Sequence, residues 1–278
     1  MSRIALIATD LDGTLLRSDG TISARSRSAI AAAHEAGLQI AFVTARPPRV
    51  MRHFAEHVGL SGMAVCSNGA ILYDLARDEF ISHERLEMTV ARELIDLLRA
   101  QSPAIVFATE HGHSLAYEPD FPQFFDEPDD PSGPRIDHAH RLCQDELTKL
   151  LVHHPDHGPD SLIELVSAHV GSRAYVNHSG GAFVEIGAPG VSKASGLARL
   201  CVQLGVAADQ VIAFGDMPND LPMLKFAGRG VAVANAHADV LAAADEVTAS
   251  NDEDGVAKAI EALLASASFD TPLRGGSG

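Results

Sequence analysis

Cysteine is scarce in this chain. Cys66, Cys143 and Cys201 stand far apart, odd in number and without a CxxC pair. That argues against a disulfide framework and a cysteine-based zinc site, and fits a reducing compartment. Basic residues are also few: 21 Lys and Arg face 37 Asp and Glu, for a formal charge of −16. Such a surface disfavours nucleic acid and anionic membranes as partners. It still admits a small anion, because a metal and a few cations can dominate the field inside a cleft. Long apolar runs are missing, and none approaches the length of a membrane span. Met1-Ser2-Arg3 leads straight into a short apolar segment, so no secretory leader is expected and the protein is expected to be cytoplasmic. Tryptophan is absent, which decides nothing.

Apolar material is ample. Of 278 residues, 46% are hydrophobic, enough for one large domain or for a core with a smaller inserted one. The first third alternates. Ile4–Ala8 reads as a buried strand, Ser23–Ala36 as a helix stopped by Gly37, and Leu38–Val43 as a second strand. A helix over Pro47–Val58 and a strand over Met63–Cys66 follow. This alternation predicts βαβ units and a parallel sheet. From about His83 to Pro189 the pattern weakens. Helices are expected at Thr89–Ala100 and Gln144–Val152, and strands at Ile105–Thr109, Arg173–Asn177 and Phe183–Ile186. Glu118 to Pro134, rich in Pro and Asp, reads as loop. After Gly190 the first pattern returns, with a helix over Ser192–Leu204, strands at Gln210–Phe214 and Gly230–Val233, and helices near Leu221–Ala227, Ala238–Ala244 and Gly255–Ala265. The expected architecture is α/β: a doubly wound Rossmann-like parallel-sheet core from residues 1–82 and 190–278, with 83–189 inserted as an α+β cap. The tail 268–278 is expected to be disordered.

Ile7-Ala8-Thr9-Asp10-Leu11-Asp12-Gly13-Thr14 places two carboxylates just past a buried strand, at the end where open parallel sheets bind ligands. Two acids this close repel unless a cation or a shared proton stabilises them. A hard divalent metal such as Mg²⁺ would do so and keep positions open for a phosphate; a capped turn is the alternative. Thr44 ends a second strand, where its hydroxyl could meet a phosphate oxygen or cap a helix, and Arg46 could add charge. Lys193 opens the helix after Gly190, either aimed at an anion or simply solvated. Gly215-Asp216-Met217-Pro218-Asn219-Asp220 follows another apolar strand and offers two more acids and an amide, as metal shell or as turn.

Together these segments resemble the haloacid dehalogenase-like (HAD) superfamily of phosphatases and phosphotransferases. Asp10-x-Asp12-Gly13-Thr14, Thr44, Lys193 and Gly215-Asp216-x-x-Asn219-Asp220 look like its four motifs in order. More narrowly, Ser67-Asn68-Gly69, Gly190-Val191-Ser192-Lys193, Val233-Ala234-Asn235-Ala236 and Ser250 to Ala257 are similar to the Cof-like subgroup. The resemblance covers nearly the whole chain and is weakest between about 85 and 180. It implies Asp10 as a nucleophile forming an aspartyl-phosphate and Asp12 as general acid, then base. It implies Mg²⁺ held by the Asp10 carboxylate, the Asp12 carbonyl and Asp216, with Asp220 orienting that shell. Thr44 and Lys193 would hold phosphoryl oxygens. Gly13, Arg46, Asn68 and Asn219 would neighbour phosphate or substrate. Met217-Pro218 and Ala234 depart from the commoner residues of the subgroup without removing a chemical group.

The substrate expected from this resemblance is a small soluble phosphomonoester, such as a sugar phosphate or a phosphorylated cofactor, acted on by a monomer or weak homodimer. A phosphomutase or phosphotransferase, and a non-catalytic phospholigand-binding module, are the other classes considered. The fourteen histidines include His111-x-His113, His138-x-His140 and His153-His154, which lack a third ligand nearby and read as solvated loop residues. Asn251-Asp252-Glu253-Asp254-Gly255 lacks the full EF-hand pattern and reads as a helix start.

Overall fold

The computed structural model describes residues 3–58, 62–122, 134–143, 147–179 and 181–267. The apolar run before Asp10 forms β1 (Leu6–Thr9), buried along its whole length. The strands that follow before the middle of the chain are β2 (Gln39–Val43), β3 (Met63–Cys66), β4 (Ile71–Asp74) and β5 (Glu79–His83). The middle contributes β6 (Val106–His111), β7 (Ser114–Tyr117), β8 (Arg135–Ile136), β9 (Lys149–His153), β10 (Tyr175–Asn177) and β11 (Val184–Gly187). The last part adds β12 (Val211–Gly215), β13 (Arg229–Ala232) and β14 (Glu246–Val247).

Among the described residues these strands form two sheets. The first is eight-stranded, ordered β14-β13-β12-β1-β2-β3-β4-β5. β1 pairs in parallel with β12 (Leu6↔Val211) on one side and with β2 (Leu6↔Gln39) on the other. The chain thus leaves β1 to one side and later returns to its opposite flank. The crevice above the C-terminal ends of β1 and β12 is where such sheets bind ligands. The sheet is parallel from β14 to β3, while β4 and β5 add an antiparallel edge that the pattern before His83 does not announce. The second sheet is six-stranded, ordered β10-β11-β9-β6-β7-β8, and antiparallel except for β7 with β8.

Helices α1 (Ala24–Glu35) and α2 (Pro48–Val58) follow β1 and β2. Helices α3 (Met88–Gln101), α4 (Ala139–Leu142) and α5 (Pro159–Val170) accompany the second sheet. Helices α6 (Lys193–Leu204), α7 (Leu221–Phe226), α8 (Ala238–Ala243) and α9 (Gly255–Ala267) return to the first. Each sheet has its own apolar core. Phe42, Tyr73 and Phe214 are buried in the first, and Leu94, Phe107 and Leu150 in the second. No described helix is long and apolar enough to cross a membrane.

The middle corrects one reading and adds a helix. The described part of Gln144–Val152 is strand β9, not helix, and residues 144–146 lie outside the described residues. Leu150, Leu151 and Val152 are all fully buried, and such a continuous apolar run does not distinguish strand from helix by period. Helix α5 was not anticipated, although it opens with Pro159 and buries Leu162, Val166 and Val170 at four-residue spacing. Residues 123–133 of the expected loop, and the tail 268–278, lie outside the described residues.

Candidate active site

Asp10 leaves β1 with its backbone N–H donated to Phe214 O of β12 at 3.0 Å. This bond sets the carboxylate above the junction of the two strands. The chain then turns widely over Leu11–Leu15, with Gly13 at φ +75°. A Cβ on Gly13 would stand 2.3 Å from Asp216 Oδ2, so only glycine lets this loop cross Asp216. Thr14 Oγ1 donates to Asp216 Oδ1 at 2.7 Å. Asn235 Nδ2 donates to Gly13 O at 2.7 Å, and Asn251 Nδ2 to Leu16 O at 2.8 Å. The acidic run beyond Asn251 has the same bracing role: Asp252 accepts from Ser18, and Asp254 pairs with Arg17.

Lys193 reaches this point from the opposite side. Ser192 Oγ caps α6 by accepting from Ser195 N, and Ser195 Oγ in turn accepts from Ser192 N, a reciprocal cap worth about 1 kcal/mol. The cap fixes Lys193 in the first helical turn, where its Nζ donates to Asp10 Oδ1 at 2.7 Å and Asp220 Oδ1 at 2.6 Å. Only 2% of Lys193 is exposed, so it is a buried cation. Burial works against its charge, but Asp10 and Asp220 outweigh that and hold it above its ordinary value.

Asp10, Asp216 and Asp220 bring carboxylate oxygens within 4.8 Å of one another. Burial raises Asp10 well above the usual carboxylate range against the pull of Lys193, with Asp220 and Asp216 adding repulsion. Burial likewise pushes Asp216 up to about 6, despite the hydrogen bond from Thr14. Three buried acids beside one ammonium are short of positive charge, and an all-oxygen donor set suits a hard divalent cation. The residues present therefore fit Mg²⁺. Asp220 is the most committed of the three: Oδ1 faces Lys193, while Oδ2 accepts from Asp216 N and Met217 N at 3.0 Å each. Those bonds shape the loop that presents Asp216.

Asp12 stands on the outer side of the turn. Its side chain is 55% exposed and is held in a fork by Arg46, with Nε at 2.8 Å from Oδ2 and Nη2 at 2.5 Å from Oδ1. Arg46 also lies over the Phe54 ring, 5.5 Å from its centre. Thr44 is buried at the end of β2, where its Oγ1 accepts from Arg46 N at 3.1 Å. Asn219 Nδ2 donates to Asn68 Oδ1 at 2.9 Å, and Asn68 Nδ2 donates to Glu185 Oε2 at 2.8 Å and Asn177 Oδ1 at 3.0 Å. Asn68 thus joins the two sheets. Ser67, Asn68 and Gly69 all take left-handed φ values of 50°, 54° and 100°. A Cβ on Gly69 would lie 2.0 Å from Ser192 O.

A cavity of about 260 Å³ opens above Asp10, Asp12, Lys193 and Asn219. Its far side is built by residues the sequence reasoning missed: Glu110 on β6, Lys149 on β9 and Glu185 on β11. Lys149 Nζ donates to Glu185 Oε2 at 2.7 Å and to Ala45 O at 3.1 Å, and lies 3.3 Å from Glu110 Oε2. A lone charge within Val184-Glu185-Ile186, between two fully buried residues, was the available signal, since a buried charge needs a partner. The histidine pairs take separate partners. His111 meets Thr109, His113 stacks on Phe80, His140 meets Asp96 and His154 meets Ser102. His154 is buried rather than solvated. Among the described residues, only the three aspartates converge as a metal-binding group.

Comparison with known proteins agrees with this geometry. A family model for haloacid dehalogenase-like hydrolases matches residues 7–260. The chain is 30% identical over 259 residues to the 5-amino-6-(5-phospho-D-ribitylamino)uracil phosphatase YcsE of Bacillus subtilis, covering 92% of this chain and 94% of that one. It is 30% identical over 277 residues to the pyridoxal phosphate phosphatase YbhA of Escherichia coli, covering 93% and 98%. A crystal structure of a haloacid dehalogenase-like hydrolase from Bacteroides thetaiotaomicron superimposes with a TM-score of 0.76 at 28% identity, covering 94% of this chain and 100% of that one. From residue 7 to residue 260, this chain belongs to the haloacid dehalogenase-like hydrolase family.

Proposed function

We propose that this protein is a Mg²⁺-dependent phosphatase of small phosphomonoesters that works through an aspartyl-phosphate on Asp10. The observation that carries this reading is the setting of Asp10: buried, bonded to Lys193 at 2.7 Å, and facing a cavity whose rim holds Asp12. An Asp10 carboxylate oxygen would attack phosphorus as the bond to the leaving oxygen breaks. Asp12, steered to the cavity rim by Arg46, would leave that fork to carry a proton, give it to the departing alcohol, and then take one from the water that displaces the Asp10 oxygen from phosphorus. Lys193 would offset charge between nucleophile and phosphoryl oxygens, and Thr44 and Asn219 would flank them. Mg²⁺ would be held by the Asp10 carboxylate, the Asp12 carbonyl and Asp216, with Asp220 orienting their loop. When bound, it neutralises phosphoryl charge as a Lewis acid. The second sheet, with Glu110, Lys149 and Glu185 on the cavity, would act as the cap that excludes water.

The expected result is release of phosphate from p-nitrophenyl phosphate by the purified protein with Mg²⁺. Asp10→Asn should lower turnover by about a thousandfold or more, the scale of losing a nucleophile. Full turnover by that variant would overturn the covalent route. Conversion of hexose phosphate isomers without free phosphate would reassign the protein as a phosphomutase.

A further inference from the structure

The charges around the cavity are unevenly distributed for a second anion. Four acids line it among the described residues, Asp10, Asp12, Glu110 and Glu185, against three cations, Arg46, Lys149 and Lys193. Each of those cations is already engaged by carboxylate. Arg46 grips Asp12, Lys193 bridges Asp10 and Asp220, and Lys149 lies 2.7 Å from Glu185 and 3.3 Å from Glu110. Arg49, on α2, pairs with the other Glu110 oxygen at 3.3 Å. Glu110 and Glu185 are 2% exposed each, so water screens them poorly. At the catalytic end, the phosphoryl group has Lys193 and the metal-binding acids to meet. At the far end, no described cation on the cavity is without a carboxylate partner.

We propose that Glu110 and Glu185 set the charge of the leaving group: the site takes phosphomonoesters whose leaving group is uncharged and turns away those that carry a second anion. The proposal rests on the phosphatase reading above. Glu110 and Glu185 balance Lys149 and Arg49, so a carboxylate on the leaving group would give up its water beside a cluster with no described cation left to pair it. Neutralising one glutamate would uncover one of those cations, and at about 5 Å and an effective dielectric near 20 its attraction for a second anion amounts to more than tenfold in binding. A hydroxyl at the same place meets carboxylate acceptors instead.

Sorbitol 6-phosphate and 6-phosphogluconate test this directly. They share one open carbon chain and differ by a terminal hydroxymethyl against a carboxylate. The wild-type protein should favour sorbitol 6-phosphate by about tenfold or more in kcat/KM. Glu110→Gln and Glu185→Gln should each cut that preference by about tenfold, through KM. The charge-balanced pair Arg49→Met with Glu110→Gln should keep it, because one cation and one anion leave together. Equal use of both compounds by the wild type, or an unchanged preference in both single variants, would overturn the proposal. Should Glu110→Gln not fold, Glu185→Gln and the wild-type ratio still decide it. Phosphate release from p-nitrophenyl phosphate reads the phosphatase assignment separately. If that release is absent, calorimetric Kd values for the same two compounds with Mg²⁺ present carry the same comparison.

Discussion

Asp216 should make the metal-free protein lose stability as pH rises through mild acidity. Its carboxyl titrates at about 6 in the folded chain against an ordinary 3.8, because it is buried beside Asp220. Below about pH 4 the group is protonated in both states, and folding costs nothing on its account. Between about 4 and 6 the folded chain keeps a proton that the unfolded chain has released, so stability falls with rising pH. Above about 6 the cost is complete, at about 3 kcal/mol for a displacement of this size. Asp216→Asn keeps an oxygen for Thr14 and has no charge to bury. In EDTA, the stability of Asp216→Asn relative to wild type should therefore grow by about 3 kcal/mol from pH 4 to pH 7. At roughly 2–4 °C per kcal/mol, the gap in Tm should widen by about 6–12 °C. The subtraction cancels exposed groups common to both proteins; Asp10, relieved of the repulsion of Asp216 in the variant, widens the gap in the same direction. Mg²⁺ at about 100 times its Kd should return about 2.7 kcal/mol to the wild type at pH 7 and little to the variant. Differential scanning calorimetry across that pH range measures both effects. A gap that stays constant with pH, or a variant that melts below wild type throughout, would refute the reasoning.

Lys193→Met should cost about 3–5 kcal/mol in EDTA, since it strands Asp10 and Asp220 without their cation; urea unfolding reads the loss, and Mg²⁺ should restore part of it. Gly69→Ala should lower Tm by several degrees, because its Cβ meets Ser192 O and the residue has φ +100°; an unchanged melt would mean the α6 entry shifts without cost. Arg46→Ala should change stability by about 1 kcal/mol or less, as expected of a half-exposed ion pair, yet lower kcat about tenfold by freeing Asp12. Equal losses in kcat and stability would tie Arg46 to the fold alone.

The carboxylate positions were legible because each follows a short, mostly apolar strand. Leu6–Thr9 and Val211–Gly215 announce themselves by composition, and polar residues at their ends have few structural reasons to be there. Lys193 was legible through its place after Gly190, at the start of a helix. The partnership of Arg46 with Asp12 was not, because it joins residues 34 positions apart through a long side chain. Nor was Asn68 as a bridge between sheets, since its partners Asn177 and Glu185 come from the weakly patterned middle. There the strands are short and the apolar runs continuous, so period gives no direction. Lys149 shows the limit best: it opens a run of three buried aliphatic residues and reads as an ordinary flanking charge until β6 and β11 bring two glutamates to it.

The pairing of β1 with β12 also has a consequence for synthesis. Leu6 meets Val211, about 200 positions later in the chain. At roughly 5–20 residues per second, a ribosome takes about 10–40 s to deliver that partner. Meanwhile β1 can pair with β2, leaving its other edge open beside the apolar Leu6 and Ile7. The second sheet, contiguous from Val106 to Gly187, can close its own core during the wait. The catalytic crevice is then finished late, and the nascent chain carries a sticky strand edge for most of its own translation. Chaperone depletion, or slow codons between positions 187 and 211, should therefore lower soluble yield more than the same slowing placed after position 232.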